Sequence, residues 1–107
     1  MPELYQLSAR AINDLESIWL YIAQDSVDAA NRVEASFFAA FSRLAQFPML
    51  GSTRPKITSQ PLRFWNIPRF PGYTVIYRPD TSPLLVVTII HGMRNLRAVL
   101  ADPGLEY

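Results

Sequence analysis

Along the chain the spacing of apolar side chains changes once, and the change divides it into two parts. Between residues 9 and 47 apolar positions recur every three or four residues, the period of a helix with one buried face. Ile12, Leu15, Ile18 or Trp19, and Ile22 form the first stripe, with Asn13, Asp14, Glu16 and Ser17 opposite. Ser8 precedes it as a plausible N-cap, because a serine hydroxyl can accept from a free N–H of the first turn. Asp25 or Ser26 can cap a second helix, and Asp28 in its first turn suits the positive end of the dipole. Ala30, Val33, Phe37, Phe41 and Leu44 carry the second stripe until Pro48 stops it. So short a connection predicts a helical hairpin, and three phenylalanines on or beside one stripe predict core packing.

Beyond this the pattern shifts towards strands. Pro48 to Pro61 is loop chemistry, with Gly51, Ser52, Thr53 and Pro55. Leu62 to Ile67 reads as a strand ended by Pro68. Tyr73 to Arg78 alternates Tyr73, Val75 and Tyr77 against Thr74, Ile76 and Arg78. Pro79 to Pro83 is a turn, and Leu84 to Ile90 is apolar on both faces, as a central strand covered on both sides would be. Glu3 to Leu7 is a further short strand, and Leu96 to Ala101 a short helical tail ending at Asp102-Pro103-Gly104. The predicted order is β-α-α-β-β-β plus a short C-terminal helix: an α+β fold with the hairpin packed on a mostly antiparallel sheet.

Composition narrows the picture without changing it. With 107 residues, half of them hydrophobic, and no linker-like stretch, residues 1–107 are expected to form a single domain. The absence of cysteine removes disulfides and thiolate metal sites. No run is long enough to span a bilayer and no signal peptide is visible, so a cytoplasmic protein with no membrane association is expected. The net charge of +1 conceals an asymmetry: Arg10, Arg32 and Arg43 face six carboxylates in residues 1–51, whereas seven cations face Asp80, Asp102 and Glu106 in residues 52–107. That asymmetry is either scattered solubilising charge or a surface for an anionic partner on the second half.

Candidate chemistry concentrates in IIHGMRNL, residues 89–96, where the only histidine and an arginine follow the most apolar run. Gly92 permits a turn at the strand end. His91 can serve as a base near neutral pH or as a hydrogen-bonded structural residue. Arg94 and Arg97, three apart, can offer guanidinium forks to carboxylate or phosphate. Arg94 can also pair with Asp14 or Glu16 and tie sheet to hairpin. Arg63, Arg69 and Arg78 lie on or beside neighbouring strands. Phe64, Trp65, Phe70 and Tyr73 sit near Pro68, Pro71 and Gly72, either as exposed aromatics of a partner site or as a cover for the hairpin end.

Several landmarks, in order and spacing, resemble the ParE toxins of the RelE/ParE superfamily, the toxic halves of type II toxin–antitoxin pairs. They are Ala11-x-x-Asp14-Leu15, Tyr21-Ile22-Ala23, Pro48-x-x-Gly51, Leu62-Arg63, Tyr73 ahead of Tyr77-Arg78, and His91-Gly92-x-Arg94-Asn95. The resemblance covers nearly the whole chain. It implies a ParD-like antitoxin partner, with DNA gyrase as the target and no enzymatic activity, cofactor or metal. The related RelE branch is a ribosome-dependent mRNA endoribonuclease. Laid on that branch through Gly72-Tyr73 and Gly92-x-Arg94, its two sheet lysines fall on Trp65 and Ile67, one arginine on Thr74, and the tail tyrosine on Leu100; only Arg94 is kept. RNA cleavage needs a base, an acid and positive charge at the phosphate, and Trp65, Ile67 and Leu100 supply none of these. No catalytic residue is therefore assigned. The resemblance makes His91, Arg94, Arg97, Arg69 and Arg63 the candidates for contact with the target, and Phe64, Trp65, Phe70 and Tyr73 those for the antitoxin. No sequence-specific contact with nucleic acid is expected. The alternative is a RelE-type nuclease with an altered set such as His91, Arg94 and Arg69.

Overall fold

The structure, a computed structural model, describes residues 4–92 and 96–105. Glu3, expected to begin the first strand, lies outside them, as does Arg94. The elements run β1 (Tyr5–Leu7), α1 (Ala9–Ala23), α2 (Val27–Gln46), β2 (Arg63–Asn66), β3 (Tyr73–Arg78), β4 (Leu84–His91) and α3 (Leu96–Leu100). The four strands form one mixed sheet in the order β1-β4-β3-β2, in which β1 runs parallel to β4 and the other neighbours are antiparallel. The order of elements and the mostly antiparallel sheet are as the sequence predicts.

Local chemistry explains where the helices begin. The Ser8 hydroxyl accepts from Ala11 N–H at 3.0 Å and donates to the Val87 carbonyl at 2.6 Å, while Ser8 N–H donates to Val86 at 3.0 Å. One buried serine thus caps α1 and anchors it to β4. Ser26 caps α2 by accepting from Ala29 N–H at 3.1 Å. Ala30, Val33, Phe37, Ala40, Phe41 and Leu44 are buried along α2, as its stripe predicts.

On α1 the buried seam follows the expected stripe at Leu15, Ile18 and Ile22 but begins at Ala11 in place of Ile12. Ala11 and Leu15 are buried, with Ile18 and Ile22 packed at their margin, whereas Ile12 is 54% exposed. The helix packs against β4 with Ala11 fully buried. Asp14, expected on the outer face, instead accepts from Thr88 Oγ1 at 2.6 Å and Ile89 N–H at 3.0 Å. β1 stops at Leu7, opposite Val86, and the Asp14 carboxylate serves the β4 backbone beyond that point.

Both sheet faces are covered. Val75, Tyr77, Val86 and Ile89 pack beneath the hairpin. On the opposite face Phe64, Ile76, Leu85 and Val87 pack with Leu62 and with Leu96, Leu100 and Leu105 of the tail. An ion pair of 2.7 Å between Arg10 and Asp102 links the start of α1 to this tail.

The chain leaving α2 is held by the fully buried Tyr77. Its hydroxyl donates to the Pro48 carbonyl at 2.6 Å and accepts from Gly51 N–H at 2.8 Å. Arg63 donates to the Gly51 carbonyl at 2.6 Å. A Cβ at Gly51 would lie 2.6 Å from the Tyr77 oxygen, so only glycine fits. Two predictions follow from this arrangement. Tyr77→Phe leaves a buried carbonyl and N–H unpaired and should lower stability by about 1–3 kcal/mol in urea denaturation. Burial raises the Tyr77 pKa above its ordinary value, against the lowering effects of the Gly51 bond and Arg63. The unfolded chain therefore ionises this phenol first. Its contribution should be intact at neutral pH and decline as pH rises above about 10, so the gap between wild type and Tyr77→Phe should narrow there.

Candidate interaction surfaces

The hairpin side of the molecule carries an open groove of about 540 Å³ between α2 and the segment that follows β2. Ala39 and Ala40 line it from the helix, and Trp65, Ile67 and Phe70 from the strand and turn; Arg32, Arg43 and Arg69 stand around them. The turn is shaped by backbone bonds from Phe70 to Ile67 (3.1 Å) and from Tyr73 to Phe70 (2.9 Å). The small α2 side chains leave the space, and the two helix arginines, 11 residues apart, stand three turns apart on one face. Neither they nor Arg69 is among the ion pairs formed by the described residues, Arg10–Asp102 and Arg78–Asp80.

A smaller groove of about 340 Å³ lies between the two helices, where Ile12, Leu20 and Phe38 are exposed beside Glu16 and Glu34. The hairpin therefore presents two apolar troughs, one bordered by cations and one by carboxylates. Of these residues only Trp65, Phe70 and Arg69 stand out in the sequence as contact candidates. The missing signal was the three-to-four spacing of Arg32, Ala35-Ser36, Ala39-Ala40 and Arg43, which marks a second, small-residue face of α2.

The remaining candidates separate. His91 is exposed at the end of β4, its ring stacked on Tyr73 with centroids 4.6 Å apart and planes at 24°. Tyr73 meets Phe37 edge-on at 5.4 Å. A Cβ at Gly72 would sit 3.2 Å from the His91 ring, so a side chain there would crowd the stack. Burial raises the Tyr73 pKa above its ordinary value, and the nearby Tyr21 adds to the shift. Gly92, at φ +73°, turns the chain after β4 and donates to the Gly72 carbonyl at 2.7 Å. Arg63 is occupied with the loop at Gly51. Phe64, expected as an exposed aromatic, is only 2% exposed. It alternates with Trp65 along β2 and so faces the opposite side of the sheet, with the Arg54 guanidinium over its ring at 5.3 Å. Arg97 lies on that opposite side too, donating to the Lys56 carbonyl at 3.1 Å.

At the positions compared with the nuclease pattern, Ile67 and Leu100 are buried, Thr74 is buried with its hydroxyl 3.3 Å from Asn66 Oδ1, and Trp65 packs against the core. Among the described residues no group of three His, Asp or Glu side chains could hold a metal ion, and no helix is long and apolar enough to cross a membrane.

No curated protein sequence matches the chain. Its fold is similar to a solved structure described as the chromosomal ParDE TA system from P. aeruginosa, with a TM-score of 0.68 and 17% identity over 82% of this chain and 94% of that one. The family model described as "ParE toxin of type II toxin-antitoxin system, parDE" matches residues 5–96. With the match extending from β1 to the first residue of α3, the chain belongs to the ParE toxin family of type II toxin–antitoxin systems.

Proposed function

We propose that this chain is the toxic partner of a two-protein system, that a ParD-like antitoxin neutralises it by occupying the groove beside α2, and that the free toxin acts by binding DNA gyrase without catalysing a reaction of its own. The observation that carries the antitoxin reading is the open groove, with the half-buried Trp65 and Phe70 between three arginines that have no carboxylate partner among the described residues. Such a surface suits a segment that brings apolar side chains flanked by acidic ones and orders as it binds. Trp65, Phe70 and Tyr73 remain antitoxin-contact candidates, and Phe64 does so only if its packing is disturbed.

The gyrase reading rests on the family and on side-chain chemistry. Trp65, Ile67, Thr74 and Leu100 provide neither a base nor an acid for strand cleavage. His91, Arg69, Arg94 and Arg97 remain candidates for target contact, while Arg63 serves the loop. The RelE-type alternative keeps His91, which is exposed and stacked on Tyr73 and so lies within reach of a bound nucleotide.

Purified toxin titrated into a gyrase supercoiling reaction should abolish supercoiling and yield linear DNA after protein digestion, with both effects reversed by the antitoxin. No effect at large molar excess would sink the gyrase reading, and ribosome-dependent cleavage, with His91→Ala as the variant, would then be assayed. In a calorimetric titration with the antitoxin, Trp65→Ala should cost about 2 kcal/mol, or roughly 30-fold in affinity. Arg32→Glu should also weaken binding, and an unchanged affinity in both variants would remove the groove from the interface.

A further inference from the structure

The tail side of the sheet carries a second surface, of different chemistry from the hairpin side. Arg54, Lys56 and Arg97 gather there. The Arg97 guanidinium reaches the Lys56 backbone carbonyl at 3.1 Å, which brings these two exposed cations together. The Arg54 guanidinium lies over Phe64, and its buried Nε has no partner among the described residues. In residues 52–61 and 96–105 the one carboxylate is Asp102, and Arg10 holds it at 2.7 Å. Among the described residues the three cations thus have no free carboxylate in these two segments.

What this surface lacks in apolar area decides the class of partner. Among the described residues the large exposed hydrophobic ones are Leu4, Ile12, Leu20, Tyr21, Val27, Phe38, Phe47 and Met49, and none belongs to residues 52–61 or 96–105. Protein interfaces draw their energy from an apolar or aromatic centre, and here only the hairpin side offers one. A phosphate backbone needs no such centre, since its binding comes from counterion release as cations neutralise phosphates. We infer that Arg54, Lys56 and Arg97 form a contact surface for the phosphate backbone of double-stranded DNA, independent of base sequence. Because it lies across the sheet from the groove, an occupant of the groove leaves it uncovered. The inference goes beyond the gyrase reading and stands without it.

The test is fluorescence anisotropy of a labelled duplex of arbitrary sequence, titrated with free toxin at several salt concentrations. Three phosphate contacts give a log–log salt slope of about −2.7, so affinity should fall about 40-fold between 50 and 200 mM salt. Lys56→Glu combined with Arg97→Glu should weaken binding and reduce that fall to about threefold. Lys56→Glu alone should move in the same direction; it alters an exposed side chain that makes no hydrogen bond among the described residues, so its effect is not one of misfolding. Arg32→Glu, on the hairpin side, should leave DNA affinity within about twofold once the change in net charge is allowed for. Absence of binding at 50 mM salt, or binding indifferent to Lys56 and Arg97, overturns the inference. So does competition by polyglutamate equal to that of unlabelled DNA at matched charge, which would assign the surface to an acidic protein. Toxin that binds DNA but spares gyrase would sink only the gyrase reading. Lys56→Glu that poisons gyrase as wild type does, while DNA binding is lost, would separate the surface from that activity.

Discussion

The Asp14 carboxylate meets the backbone of β4 where β1 has run out, and much of the fold depends on that contact. β4 is apolar on both faces and is flanked by β3 along one edge, while the three-residue β1 reaches only the start of the other. A buried backbone N–H without a partner costs as much as a lost hydrogen bond. Ser8 meets the carbonyls of Val86 and Val87, and Asp14 then meets Ile89 N–H and the Thr88 hydroxyl. The first turns of α1 therefore complete the ladder that the strand began. This requires α1 to lie close, which accounts for alanine at position 11 on the buried seam and leaves Ile12 outside it.

The parts of the fold legible in the sequence were those written in local periodicity. The α2 stripe, the hairpin, the two helix caps and the ends of Tyr73–Arg78 all follow from residues within a few positions of one another. Contacts between distant residues were not legible in the same way. Asp14 reads as a surface carboxylate because its partners are 74 and 75 positions away. Tyr77 reads as one more alternating aromatic, with nothing nearby to show that its hydroxyl holds the loop at Pro48 and Gly51. Ile12 misleads because a helical stripe fixes a face without fixing which margin of it is buried.

The candidate site was legible in part, for a related reason. Trp65, Phe70 and Arg69 could be picked out as aromatic and basic residues near prolines. Phe64 has the same neighbourhood but the opposite strand parity, and parity alone sends it into the second core. Arg32 and Arg43 belong to the acidic half of the chain, so net charge along the sequence does not mark them. The structure sorts side chains by face: exposed apolar residues collect on the hairpin side, and on the tail side the cations stand without them.

The pairing of β1 with β4 joins residues 5–7 to residues 84–86, and Arg10 is joined to Asp102. Almost the whole chain lies between these contacts, and a loop of that size must close before the sheet is complete. During synthesis the helical hairpin is made well before β4, the strand on which it rests. A nascent or prematurely terminated chain that lacks β4 has no sheet for the hairpin to cover. The hairpin therefore gains its support only once β4 has been made, and folding has to wait for that strand.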